Sequence, residues 1–269
     1  MSHKDVGGRR LNLRVALGRT LRVLPLLWRG AAGALILCGS LWLLPLIVTV
    51  EGWTGWAWAL AVGASTLVAI GALARLSVSD DVAEARALGL GPMGLQAKLP
   101  EARLLGAALL CLLFLAMIVS ILALVVLAIF GMAELNVEAI QARNWAAVGE
   151  PWKLAILAVI GLGAVAIPLL LIVRLSLFAP ATLGRRQMVS LNSMGIAYGS
   201  FWPLLAGLIV TAVPNLVLPM LIGTGVAAGQ AVSVVWALGL IGLQLPLTIG
   251  FLGAAYRQLE YWFPEETKR

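Results

Sequence analysis

Leu104-Leu-Gly-Ala-Ala-Leu-Leu-Cys-Leu-Leu-Phe-Leu-Ala-Met-Ile-Val-Ser-Ile-Leu-Ala-Leu-Val-Val-Leu-Ala-Ile-Phe-Gly131 contains no charged residue. A helix rises 1.5 Å per residue and hydrocarbon is about 30 Å thick, so about 20 apolar residues cross it. This run exceeds that length and predicts a tilted or projecting transmembrane helix. Five other charge-free runs flank it, at 31–50, 53–74, 154–173, 202–223 and 232–255. The predicted fold is all-α, a polytopic membrane helix bundle of about six transmembrane helices. It divides into a cytoplasmic basic amphipathic segment (1–30), a transmembrane domain (31–255) and a cytoplasmic tail (256–269).

Composition agrees. Of 269 residues 61% are hydrophobic and 12% charged, and the mean hydropathy is +1.00. Soluble domains are nearer 25% charged. The net charge is +7. In a soluble protein that excess raises nucleic acid as a partner. In a membrane protein it is explained by Lys and Arg collecting in cytoplasmic loops, and no nucleic-acid partner is expected.

Those loops set the predicted orientation. Lys4, Arg9, Arg10, Arg14, Arg19, Arg22 and Arg29 precede the first run. Arg75, Arg86, Lys98 and Arg103 lie between the second and third. Arg174, Arg185 and Arg186 lie between the fourth and fifth, and Arg257, Lys268 and Arg269 follow the last. Only Arg143 and Lys153 fall on the opposite face. The imbalance predicts cytoplasmic termini and an even number of spans. The arginines continue to Arg29 before a full span begins, unlike a cleaved signal peptide, so the first helix is expected to be retained.

Leu13, Ala16, Leu17, Thr20, Leu24 and Leu27 recur at helical spacing, with Arg10, Arg14, Arg19, Arg22 and Arg29 opposite. This predicts a basic amphipathic helix in the interface plane, bent at Pro25 as it enters the bilayer. Segments 80–103 and 191–205 also lead into odd-numbered spans, predicting interfacial helices and three similar hairpin units. Pro203, Pro214 and Pro219 predict a kinked fifth span. Only Glu51 and Gly52 separate the first two runs, which predicts a tight hairpin. The segment from about 132 to 152 predicts a short interfacial helix ending near Gly149-Glu150-Pro151. Trp53, Trp56, Trp58, Trp145, Trp152 and Trp202 sit near span ends and read as an aromatic belt.

No catalytic constellation is visible. The only histidine is His3, so His-based acid–base work and most metal sites are not expected. Cys38 and Cys111 read as small buried hydrophobes. No cofactor is expected. The predicted spans contain no ionisable residue, which argues against proton-driven transport. Asn215 and Gln244 are the candidate intramembrane polar site, with hydrogen bonding between helices as the structural alternative. Arg14, Arg19, Arg22, Arg29, Arg174, Arg185 and Arg186 are the candidate contacts for anionic lipid.

The run Arg174-Leu-Ser-Leu-Phe-Ala-Pro-Ala181, with Ser190-Leu191 and Phe201-Trp202, resembles the YciC-like bacterial inner-membrane proteins. It also resembles the membrane domain attached to some glycerophosphoryl diester phosphodiesterases. Gly89-Leu-Gly-Pro-Met-Gly-Leu-Gln96 is similar to uncharacterised alphaproteobacterial proteins of this type. The resemblance implies fold and placement in a bacterial inner membrane. It transfers no catalytic residue, because the phosphodiesterase domain has no counterpart here. The functional expectation is a non-catalytic accessory subunit or scaffold of a membrane complex, or a lipid organiser. Its partners would be anionic lipids and integral membrane proteins or further copies of itself. The alternative is a transporter or channel for a small or lipidic solute.

Overall fold

In a computed structural model, residues 10–133, 135–141, 148–223 and 230–260 are described. Every regular element among them is helical. His3, Lys4, Arg9, Arg143, Trp145, Lys268 and Arg269 lie outside the described residues. Four helical stretches are long and apolar enough to cross a membrane: Gly52–Val78, Pro92–Met132, Pro151–Gly184 and Val232–Leu259. A bent pair makes a fifth, and Phe201–Val217 is a shorter apolar helix.

The chain forms two compact units. The first comprises Met1–Ala108 with Arg174–Arg269, and the second is Leu109–Val173. The first unit begins with α1 (Leu13–Gly30), whose N-cap Asn12 accepts the Val15 amide through its side chain. This satisfies one of the helix's orphan donors. Its buried residues are Ala16, Thr20, Leu24 and Leu27, the stripe the sequence periodicity marks. That stripe packs on α3 (Gly52–Val78) and α12 (Leu245–Leu259), so protein takes the apolar face expected to meet lipid.

A bend of 78° separates α1 from α2 (Ala32–Leu43) and its 3-10 extension Leu44–Leu46. The bend falls at Ala31, which leaves helical geometry at φ −112° and ψ 15°. Pro25, where the turn was expected, sits inside α1. The first apolar run therefore yields a helix ending at Leu46 rather than at residue 50.

Two prolines free helix carbonyls, and two tryptophans take them. Pro45 has no N–H to give Leu41, its partner four residues back. The Trp58 indole N–H donates to the Leu41 carbonyl at 2.8 Å. Pro246 likewise leaves Gly242, and the Trp28 indole donates to it at 2.7 Å. Gly242 lies in a π-helical turn, Leu240–Gln244, that joins α11 (Gln230–Gly239) to α12. Trp58, expected in the boundary belt, is thus a cap for a broken helix. Trp58→Phe should lower stability by about 1–3 kcal/mol by orphaning that carbonyl. Thermal unfolding in detergent measures this, and Trp56→Phe, at a 78% exposed residue, is the neutral control.

At the far end of α3 the chain forms α4 (Val82–Ala87), a 3-10 turn (Pro92–Gly94) and α5 (Leu99–Met132). Beyond α7 (Pro151–Leu175) come α8 (Phe178–Gly184), the single turn α9 (Ser193–Ile196) and α10 (Phe201–Gly223). Only α1 is a long helix among the three segments expected to lead into odd spans. The three-unit repeat is correspondingly unequal.

The core of the first unit lies at the arginine-rich ends of its helices. Residues Ala69 and Gly71 to Val78 of α3 are buried, as are Ala179 to Gly184 of α8 and Ile249 to Tyr256 of α12. The first half of α3 is largely exposed. Glycine permits the tightest contacts: a Cβ on Gly253 would meet Ser77 Oγ at 2.0 Å, and one on Gly207 the Phe251 ring at 1.9 Å.

The second unit holds most of α5, the short α6 (Val137–Gln141) and nearly all of α7. The Asn136 amide donates to the Val148 carbonyl at 3.0 Å, and its side chain caps Ala139. Pro151 opens α7 as a first-turn proline, a position its fixed φ suits. Gly149-Glu150-Pro151 thus leads into α7, and the short helix expected in this segment includes α6.

Candidate functional site

Two features of the first unit combine polar chemistry with the helix ends. The first is the arginine-rich end itself. Arg75 is fully buried within α3 and ion-paired to Glu101 of α5 at 2.6 Å. Its other nitrogens donate to the Leu88 and Gly71 carbonyls at 3.1 and 3.0 Å. Glu101 also accepts the Lys98 amide, capping the start of α5. Gly71 has no side chain to obstruct the pair, since a Cβ there would sit 3.3 Å from both Arg75 and Glu101.

Around this pair the surface charges interlock. Asp80 accepts from Arg257 of α12 and Arg19 of α1, both at 2.8 Å. The Arg257 hydrogen bond, reinforced by Arg19 and partly offset by burial, holds the Asp80 carboxyl below its ordinary range. Arg185 pairs with Glu260. Arg174 lies 5.7 Å from the centre of the Tyr198 ring, within cation–π range.

The second feature is a polar seam between helices. Thr66 of α3 receives the Trp42 indole N–H at 3.4 Å and contacts the Cys38 thiol at 3.5 Å. These residues line a cavity of about 220 Å³ with Leu240, Ile241, Gln244, Leu245 and Thr248. Thr248 donates to Thr211 of α10 at 3.2 Å. Asn215 is one turn beyond Thr211, and Gln244 one turn before Thr248. Helices α10 and α12 meet through the threonine pair, and each carries one of the two candidate amides a turn from it. Asn215 is 3% exposed and its Oδ1 has no hydrogen-bond partner. No hydrogen bond between Asn215 and Gln244 is formed.

The arginines selected from sequence separate into two groups. Arg14, Arg22 and Arg29 are exposed on α1 and have no ion-pair partner among the described residues. Arg19 and Arg185 are in ion pairs, and Arg174 is on Tyr198. Arg186 donates to the Ala87 carbonyl. The sequence reading missed Arg75 and Glu101 as partners. A run ending at residue 74 placed Arg75 in a loop, whereas the helix continues to Val78. It counted Arg103 only for topology, yet Arg103 donates to the Arg186 carbonyl.

These features define a helical membrane protein whose charged end is internally cross-linked and whose apolar helices carry a small polar seam. No protein-family profile, curated protein or solved structure matches the chain.

Proposed function

We propose that this chain is a non-catalytic, six-span inner-membrane protein with cytoplasmic termini, serving as an accessory subunit or scaffold of a membrane complex. The observation that carries this reading is the apolar surface of α5. An 18-residue window of its stretch has a mean hydropathy of 3.2, and Leu112, Leu113, Leu124 and Leu127 are between 62% and 71% exposed. On α7, Val159, Leu162 and Val165 are similarly exposed, and Gly161 and Gly163 have nothing within 4 Å of where a side chain would start. Small residues let membrane helices approach closely, so these faces suit another helix. The basic residues of α1 would meet anionic lipid. Purification in gentle detergent should recover other membrane proteins, or further copies of the chain, bound to it. Recovery as an isolated monomer alone would contradict the reading.

The second reading is a transporter or channel, favoured by the cavity at Gln244 and the orphaned Asn215 oxygen. Asn215→Ala and Gln244→Ala test it together. Unchanged solute flux in both would end it.

A further inference from the structure

We propose that Arg103 and Arg186 form a binding site for a phosphate group at the arginine-rich end of the first unit. The two residues line a cavity of about 220 Å³ with Ala87, Leu88, Gly89, Pro100, Thr182 and Leu183. This is smaller than the roughly 300 Å³ at which pockets for drug-sized ligands begin. It suits a single anionic group rather than a whole metabolite.

Charge accounting at this end leaves the site unbalanced. Asp80 serves Arg19 and Arg257, Glu101 serves Arg75, and Glu260 serves Arg185. Asp81 and Glu84 accept the backbone amides of residues 84 and 80. Arg103 and Arg186 have no carboxylate among the described residues. Each spends one donor on a carbonyl, Arg103 on Arg186 and Arg186 on Ala87. An arginine carries five N–H donors in a planar fork, so most remain for a ligand. Two guanidinium groups around one cavity repel each other, and a phosphate bridging both removes that cost with charge-assisted bonds.

The backbone supports the same reading. Arg186 has a φ of 55°, left-handed geometry that a side-chain-bearing residue adopts at a cost and that clusters at ligand sites. Arg186 directly follows the cap of α8, where left-handed geometry commonly ends a helix, and the Arg103 guanidinium holds its carbonyl. The sequence marks Arg186 as a candidate contact for anionic lipid heads. The structure instead gives it a defined partner, Arg103, beside a half-open cavity. This site goes beyond the subunit reading and stands whether or not a partner protein exists.

The phosphate can belong to a free phosphate compound or to a lipid headgroup. The full-length protein in neutral detergent is titrated with inorganic phosphate at constant ionic strength. Separately it is titrated with short-chain phosphatidic acid against short-chain phosphatidylcholine, with tryptophan fluorescence or native mass spectrometry as readout. Saturable binding is expected, weakened at least about tenfold in Arg103→Gln and in Arg186→Gly and unchanged in Arg22→Gln. Glycine suits the left-handed backbone at 186, and Arg103→Gln decides the matter should Arg186→Gly misfold. Binding of inorganic phosphate points to a free phosphate compound; binding of phosphatidic acid alone points to a headgroup. Absence of saturable binding in both titrations would overturn the proposal. So would wild-type affinity in both site variants, or an equal loss in Arg22→Gln.

Discussion

Arg75→Met should destabilise the protein by about 3–5 kcal/mol, because it strands the Glu101 carboxylate in a buried site. Arg75 is fully buried and Glu101 is 6% exposed, so neither charge recovers its hydration. The same substitution removes donors from the Leu88 and Gly71 carbonyls, which fix the 88–101 segment against α3. Glu101→Leu should cost a similar amount by stranding the guanidinium. The double variant Arg75→Met/Glu101→Leu should be markedly more stable than the sum of the single losses predicts, since no buried charge remains. Reversible unfolding in mixed detergent micelles gives all three values. Single losses below about 1 kcal/mol, or strict additivity, would show that the pair is not the connection between α3 and α5 described above.

Gly253→Ala is the second large effect, at about 1–3 kcal/mol. The added methyl would lie 2.0 Å from Ser77 Oγ and 2.4 Å from Ser77 Cβ. These are positions on the inner faces of α3 and α12, so relief requires the two central helices to separate. Ser77 donates to the Ala74 carbonyl at 2.8 Å and has no freedom to swing clear without losing that bond. Ser77→Gly should restore part of the loss in the Gly253→Ala background. Gly63→Ala is the contrasting case: nothing lies within 4 Å of its Cβ position. There alanine should be neutral or stabilising by about 0.5–1 kcal/mol, the helix-propensity difference.

The helices themselves were legible because their signal is local. Apolar runs at 53–74, 104–131 and 154–173 lie within Gly52–Val78, Leu99–Met132 and Pro151–Leu175. The stripe on α1 was equally clear, since 3.6-residue periodicity is written along the chain. What covers that stripe was not, because an apolar face reads alike whether lipid or α12 meets it. Arg75 escaped for a related reason. Topology rules treat each arginine as solvated, and its partner Glu101 lies on another helix. The bend at Ala31 carries no proline, whereas Pro25 is accommodated within α1. The indole caps at Leu41 and Gly242 pair residues on different helical elements. Asn215 and Gln244 were selected as rare amides in apolar runs, and the threonines that place each a turn from the α10–α12 contact have weaker polarity.

On the proposed subunit reading, the apolar faces of α5 and α7 dock on another protein chain. Photo-crosslinking amino acids placed singly at Leu113, Leu124 and Leu162 test it most directly in intact membranes. The expected product is a discrete crosslinked species containing a second polypeptide, either another membrane protein or a further copy of this chain. Crosslinks to lipid alone at all three positions would contradict it.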